Sequence, residues 1–318
     1  MIGGALALML VAATPAASGT APVTVPDESD PAGQTLKTGT DADERMTVAV
    51  AVQGQGPYHF LIDTGSQQTV VSSTLAGTLG LPLGPEVTVI GMAGSSSVST
   101  ARVGTLAIGQ RSFRDLTVPL LEAQHIGADG IVGTDSLQGQ RVTLDFERST
   151  IAISPVEEVS DNKGYEIVVR AHRRLGRLIM TDAVVDGIRA NVVIDTGASS
   201  AVGNLALQNA MRKHLAGTVK LASVTGDVLS AELAIAQKLK IGELGVTNIV
   251  IAFADSPAFR ELGLEKRPAL FLGMRELRIF RRIAIDFSSR KVLFDIPRNS
   301  KQPVSPIRKI ASSEPRTK

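Results

Sequence analysis

Two acids in this chain stand where acids are seldom found. Asp63 closes the run His59-Phe60-Leu61-Ile62, and Asp195 closes Asn191-Val192-Val193-Ile194. Each opens a triplet followed by a small residue, Asp63-Thr64-Gly65-Ser66 and Asp195-Thr196-Gly197-Ala198. The apolar runs read as buried strands, and Gly permits the sharp turn that leaves the acid at the strand end. Asp is depleted in strands and is rarely buried without a partner. Two such carboxyl groups brought together cannot both ionise, so they share one proton. The ionised member polarises a water and the protonated member donates to a carbonyl oxygen. That is general acid–base hydrolysis of an amide, with no metal and no covalent intermediate. Ser66 carries a hydroxyl that Ala198 lacks. A hydrogen bond from it to the carboxylate would make Asp63 the more readily ionised of the two.

The elements that must position these acids repeat along the chain. Gly94 lies 31 residues after Asp63, and Gly226 lies 31 after Asp195. Gly130-Ile131-Val132-Gly133 answers Leu270-Phe271-Leu272-Gly273, and Val142-Thr143-Leu144-Asp145-Phe146 answers Ile283-Ala284-Ile285-Asp286-Phe287. The period is too long for a solenoid unit and fits a duplicated lobe. Within the first copy, Met46 to Val52 and Tyr58 to Ile62 read as a hairpin that delivers Asp63. Val87 to Ile90 and Val98 to Val103 flank a small-residue tip at Gly91-Met92-Ala93-Gly94-Ser95. Leu75 to Leu79 reads as one helical turn, and a short helix is expected through Leu137. The second copy is longer around Ser256 to Pro268, where a charged loop or helix is inserted. Asp145 and Asp286 sit in closing hairpins and read as structural, paired with turn N–H groups or Arg.

Composition narrows the function. Lys plus Arg is 33 and Asp plus Glu is 31, a formal charge of +2 that gives no electrostatic case for nucleic acid. There is no Trp and little aromatic residue for base stacking. The absence of Cys removes thiol catalysis, thiolate zinc sites and disulfides. His59, His125, His172 and His214 are scattered without helical pairing, so no metal site and no cofactor are expected. Frequent Val, Ile and Thr with 30 Gly favour an all-β chain. Residues 1–17, apolar from Ala5 to Ala13 and then small, read as a secretory signal peptide and point to a periplasmic or secreted protein. Residues 18–45 read as a flexible leader, 46–154 as the first lobe, 155–176 as a linker with a strand near Tyr165 to Val169, 177–297 as the second lobe, and 298–318 as a basic disordered tail.

Taken together, the paired triplets and the downstream Gly133 and Gly273 segments resemble the aspartic proteases, pepsin-like and retroviral-type, over about residues 46 to 296. The closest likeness is to bacterial single-chain members built from two retroviral-type lobes. The resemblance implies a bilobal acid-protease fold of two pseudo-symmetric β-barrel-like lobes with the active site between them. Asp63 and Asp195 would be the catalytic pair. Thr64 and Thr196 would interlock across the axis, and Gly65 and Gly197 would offer N–H groups to the carboxylates, with Ser66 beside them. Two β-hairpin flaps would close on a peptide or protein substrate, one with its tip at Gly91, Met92, Ala93 and Gly94, the other at Val224, Thr225 and Gly226. The only tyrosines are Tyr58 and Tyr165, so neither flap carries the Tyr of pepsin-like enzymes. With both halves in one chain a monomer is expected, with no membrane span. The rival reading is a non-catalytic peptide-binding module on the same fold.

Overall fold

The computed structural model describes residues 44–155, 164–212 and 216–296, with the shorter pieces 5–6, 10–12, 34–41 and 162. The tail at 298–318 and most of the signal-like segment and leader lie outside the described residues.

The described residues form strands in three sheets, two of nine strands and one of six. Each nine-stranded sheet forms one lobe around the same skeleton. In the first lobe Met46–Val52 pairs antiparallel with Gln55–Ile62, and Ile62 runs parallel to Val132. In the second, Arg177–Val185 pairs with Ile188–Ile194, and Ile194 runs parallel to Leu272. The strands Phe60–Ile62 and Val192–Ile194 are buried throughout, which suits their unbroken apolar runs. The repeated glycines have a physical cause. A Cβ at Gly133 would strike the backbone of Gln68, and one at Gly273 would lie 2.6 Å from the Ser200 backbone nitrogen. The strand that follows each triplet passes too close for any side chain.

Long hairpins project from both lobes. Leu83–Ile90 turns back into Ser95–Ile108, and Gly217–Ser223 into Val228–Ile241. Their outer edges are paired as well. Residues 5–6 run parallel to Ala222 and Ser223, and residues 10–12 run antiparallel to Thr88, Val89 and Ile90.

The six-stranded sheet draws on both halves, because Gln140–Asp145 pairs directly with Arg282–Asp286. One reading from composition is corrected here. Gln34–Lys37, assigned to a flexible leader, pairs with Thr150–Pro155, and Gly39–Thr40 pairs with Met46 and Thr47. The strand expected near Tyr165 to Val169 is present as Ile167–Arg170, which pairs with Lys291–Asp295 and forms the other edge of this sheet. Backbone pairing at a sheet edge needs no apolar composition, so polar stretches qualify. The helix expected through Leu137 is instead a series of turns, whereas Ser73–Thr78 is helical and Pro257–Glu261 is the helix of the insertion. Asp286 accepts from Ser289 N (2.7 Å) and Arg141 Nη2 (2.8 Å), and Asp145 from Arg148 N (2.8 Å). Among the described residues no helix is long and apolar enough to cross a membrane.

Candidate active site

The strand ends deliver Asp63 and Asp195 in the same way. Asp63 N donates to Val132 O and Asp195 N to Leu272 O, both at 3.1 Å. Both side chains are wholly buried. Gly65 N donates to Asp63 Oδ1 at 2.7 Å, and Gly197 N to Asp195 Oδ1 at 3.0 Å. The threonines cross between lobes. Thr64 Oγ1 donates to Ile194 O (2.9 Å), and Thr196 Oγ1 donates to Ile62 O (2.6 Å). Each hydroxyl also accepts the opposite backbone N–H, Thr64 N to Thr196 Oγ1 at 3.0 Å and Thr196 N to Thr64 Oγ1 at 3.3 Å. Four hydrogen bonds therefore tie the two triplets together at the axis between lobes.

The two acids, one from each lobe, act on each other, and in each the Oδ2 atom is buried and receives no hydrogen bond. Burial raises both acids. Asp63 is held at about 6, against the opposing pull of the Gly65 N–H, Arg177, the Ser66 N–H and Arg45. Asp195 rises well above the ordinary range, first from burial and then from the charge of Asp63.

Asp63 is the more readily ionised, but not through the Ser66 hydroxyl. That hydroxyl donates to Gln68 O at 2.7 Å. The charge of Asp63 acts on Asp195, and one backbone contact differs: Ser66 N and Ala198 N each donate to the preceding Asp carbonyl at 3.3 Å, but Ser66 N also gives Asp63 Oδ1 a second N–H at 2.9 Å.

Each hairpin tip packs into the opposite lobe. Met92 is wholly buried and packs in an apolar cluster whose other members, among them Val193, Ala198 and Phe259, all belong to the second lobe. Ser256, at the start of the inserted helix, donates to Met92 O at 2.6 Å. Val224 is likewise buried, in a cluster with Leu61, Val70, Leu121 and Ile126 of the first lobe. Gly91 and Gly94 lie against Ser223 and Asp227 of the opposite tip, and a Cβ at Gly226 would lie 2.6 Å from His125 Cε1. Gly226 also has φ +88°, where glycine is favoured. Thr225 Oγ1 donates to Asp227 Oδ2 at 2.7 Å, and Ala93 is half-buried. The two tips therefore pack against each other and into the opposite lobes. His59 is exposed on its strand.

A model of the aspartyl protease family matches residues 48–136 and 181–275, once in each lobe and over more than half of the chain. This chain belongs to the aspartyl protease family. No curated protein matches it. The two matched segments each contain one triplet and one hairpin tip, so the family pattern covers both halves of the site just described.

Sequence reasoning missed one pair in this aspartyl protease. Arg45 and Arg177 are wholly buried, and each reaches the opposite triplet: Arg45 Nη1 donates to Gly197 O at 3.3 Å, and Arg177 Nε to Gly65 O at 2.5 Å. Arg45 lies 18 residues before Asp63 and Arg177 18 before Asp195, the same kind of repeated spacing that located the glycines.

Proposed function

We propose that this protein is an aspartic endopeptidase that hydrolyses peptide bonds with a water held between Asp63 and Asp195. The observation that carries the reading is the pair of buried acids on two triplets tied together by their threonines, each acid raised by burial and each with one oxygen that receives no hydrogen bond. Asp63, the stronger acid of the two, is the base that takes the proton of the attacking water. Asp195, still protonated, donates to the carbonyl oxygen of the substrate. The resulting diol collapses as the proton taken by Asp63 passes to the leaving amine and one diol hydroxyl returns its proton to Asp195, so that the pair regains its starting state.

The substrate binds extended, adding a strand to the flaps. Support for this comes from the chain itself, whose residues 5–6 and 10–12 pair with the outer edges of the two flap hairpins in opposite senses. A single extended peptide crossing a pseudo-two-fold axis must do the same, because the axis reverses one flap strand relative to the other. The buried clusters that receive Met92 and Val224 are aliphatic apart from Phe259 and Phe271, which favours apolar side chains beside the scissile bond.

The experiment is cleavage of a peptide library by the wild type, Asp63→Asn and Asp195→Asn. Both variants should lose cleavage by at least about a thousandfold, as expected when a member of a catalytic unit is removed. Cleavage that persists in both would overturn the mechanism.

A further inference from the structure

Each hairpin tip rests against a short helix of the opposite lobe, and the two rests are built differently. The helices follow matching long strands, Ala123–Ile126 after Arg111–Leu121 and Pro257–Glu261 after Leu244–Phe253. Ser256 opens the second helix. Ser is favoured where a helix begins and Pro in its first turn, so the local sequence fixes this start. The Ser256 hydroxyl accepts from Ala258 N at 3.3 Å, which leaves it a proton to give. It donates that proton to Met92 O at 2.6 Å, and its oxygen lies 2.9 Å from Met92 Sδ. Both residues are buried. Glu122 opens the first helix; it is exposed, and its side chain makes no capping bond. The second tip meets this helix through packing. The His125 ring lies against Gly226, and Ile126 shares an apolar cluster with Val224. Among the described residues, the turn and side-chain hydrogen bonds of 223–227 run within the tip itself: Ser223 N to Asp227 O, Gly226 N to Ser223 O and Thr225 Oγ1 to Asp227 Oδ2.

The consequence is unequal cost of opening. Lifting the first tip uncovers Met92 and also strips a buried carbonyl of its donor. A buried polar group left without its partner is far more costly than the same group in water. Lifting the second tip uncovers Val224 and leaves that tip's own hydrogen bonds intact. The tips also touch, with Gly91 and Gly94 against Ser223 and Asp227, so one tip can part from the other while its neighbour stays seated. Asp63 and Asp195 are wholly buried, so a peptide reaches them only when part of the chain moves.

We propose that Ser256 is the positioning residue that locks the first flap onto the second lobe, and that the second flap is the gate by which an extended peptide enters. The entry of a peptide rests on the endopeptidase reading above; the unequal anchoring of the tips does not. The extra length of the second half begins at this same serine, in Ser256 to Pro268, so the insertion brings the lock with it.

The test is amide hydrogen exchange, corrected for intrinsic rates, on the wild type, Ser256→Gly and Ser256→Thr. It needs no turnover. In the wild type residues 91–94 should exchange about tenfold or more slowly than 224–227. Gly serves nearly as well as Ser at a helix start but has no hydroxyl. Ser256→Gly should therefore speed exchange at 91–94 by about tenfold and leave 224–227 within about twofold of wild type. Thr keeps the hydroxyl, and its exchange at 91–94 should stay within about threefold of wild type. With a peptide substrate, Ser256→Gly should raise KM more than it lowers kcat, because the flap holds the peptide and the acids are untouched, and Ser256→Thr should restore KM. First-tip exchange as fast as that of the second tip in the wild type, an unchanged first tip in Ser256→Gly, or a Thr variant as fast as the Gly one would each overturn the proposal. Should Ser256→Gly fail to fold, the comparison of the two tips in the wild type still decides. Tips that exchange as described in a protein that cleaves no peptide would end the endopeptidase reading and leave the lock standing.

Discussion

Replacing Thr196 by Val tests the interlock at the axis most directly. Val keeps the branched shape, so little packing is lost. The hydroxyl is lost from two bonds, its donation to Ile62 O at 2.6 Å and its acceptance of Thr64 N at 3.0 Å. Both backbone groups belong to buried residues. An orphaned buried polar group costs about 1–3 kcal/mol, so the two together cost roughly 2–6, and partial relaxation brings the expected value to about 3 kcal/mol. That is a large share of the ~5–15 kcal/mol by which domains are normally stable. Because the chain has no Trp, unfolding in urea is best followed by far-ultraviolet circular dichroism. Thr196→Ser keeps the hydroxyl and should cost less than about 1 kcal/mol. The same substitution should lower kcat more than it raises KM, since it loosens the spacing of the acids rather than the flaps. A Val variant within about 1 kcal/mol of wild type, or a Ser variant as unstable as the Val one, would refute the reasoning.

Two further outcomes follow from buried groups elsewhere in the site. Glu276 is almost wholly buried behind Gly273, and burial holds its proton up to about 8. The unfolded chain releases that proton near 4.5, so wild-type stability falls as pH rises from there to about 8. Glu276→Gln escapes that loss; its urea midpoint should match wild type near pH 4 and exceed it near pH 8.5 by roughly 2–4 kcal/mol, and equal curves at both would refute the assignment. Met92→Ala should speed amide hydrogen exchange at residues 91–94 by about tenfold or more, because truncating a packed Met costs ~2–5 kcal/mol and here the loss falls on the closed tip; unchanged exchange would mean that the tip is not anchored in the second lobe.

What could be read from the chain, and what could not, divides along a physical line. The triplets, the flap tips and the two lobes all rest on short-range patterns: an apolar run, a turn residue, a fixed interval between landmarks. These patterns fix which residues end strands, and the strand ends deliver the acids. The direction of the Ser66 hydroxyl was not accessible that way, because Gln68 O competes for it only once the turn has closed. The sheet shared by both halves escaped for a similar reason. Gln34 to Lys37 is short and polar, and its partner, Thr150 to Pro155, lies more than a hundred residues further on. Arg45 and Arg177 carried a legible signal in their common interval before the acids, but a lone Arg at the start of a strand gives no local reason to look for burial.

The difference between Ser66 and Ala198 bears on why two similar halves are worth joining. An assembly of identical subunits must repeat every substitution, so an N–H that reaches one carboxyl group reaches the other, and whatever is even stays even. A continuous polypeptide escapes this rule. It can change one side of its axis and leave the other, as the extra bond from Ser66 N to Asp63 does here.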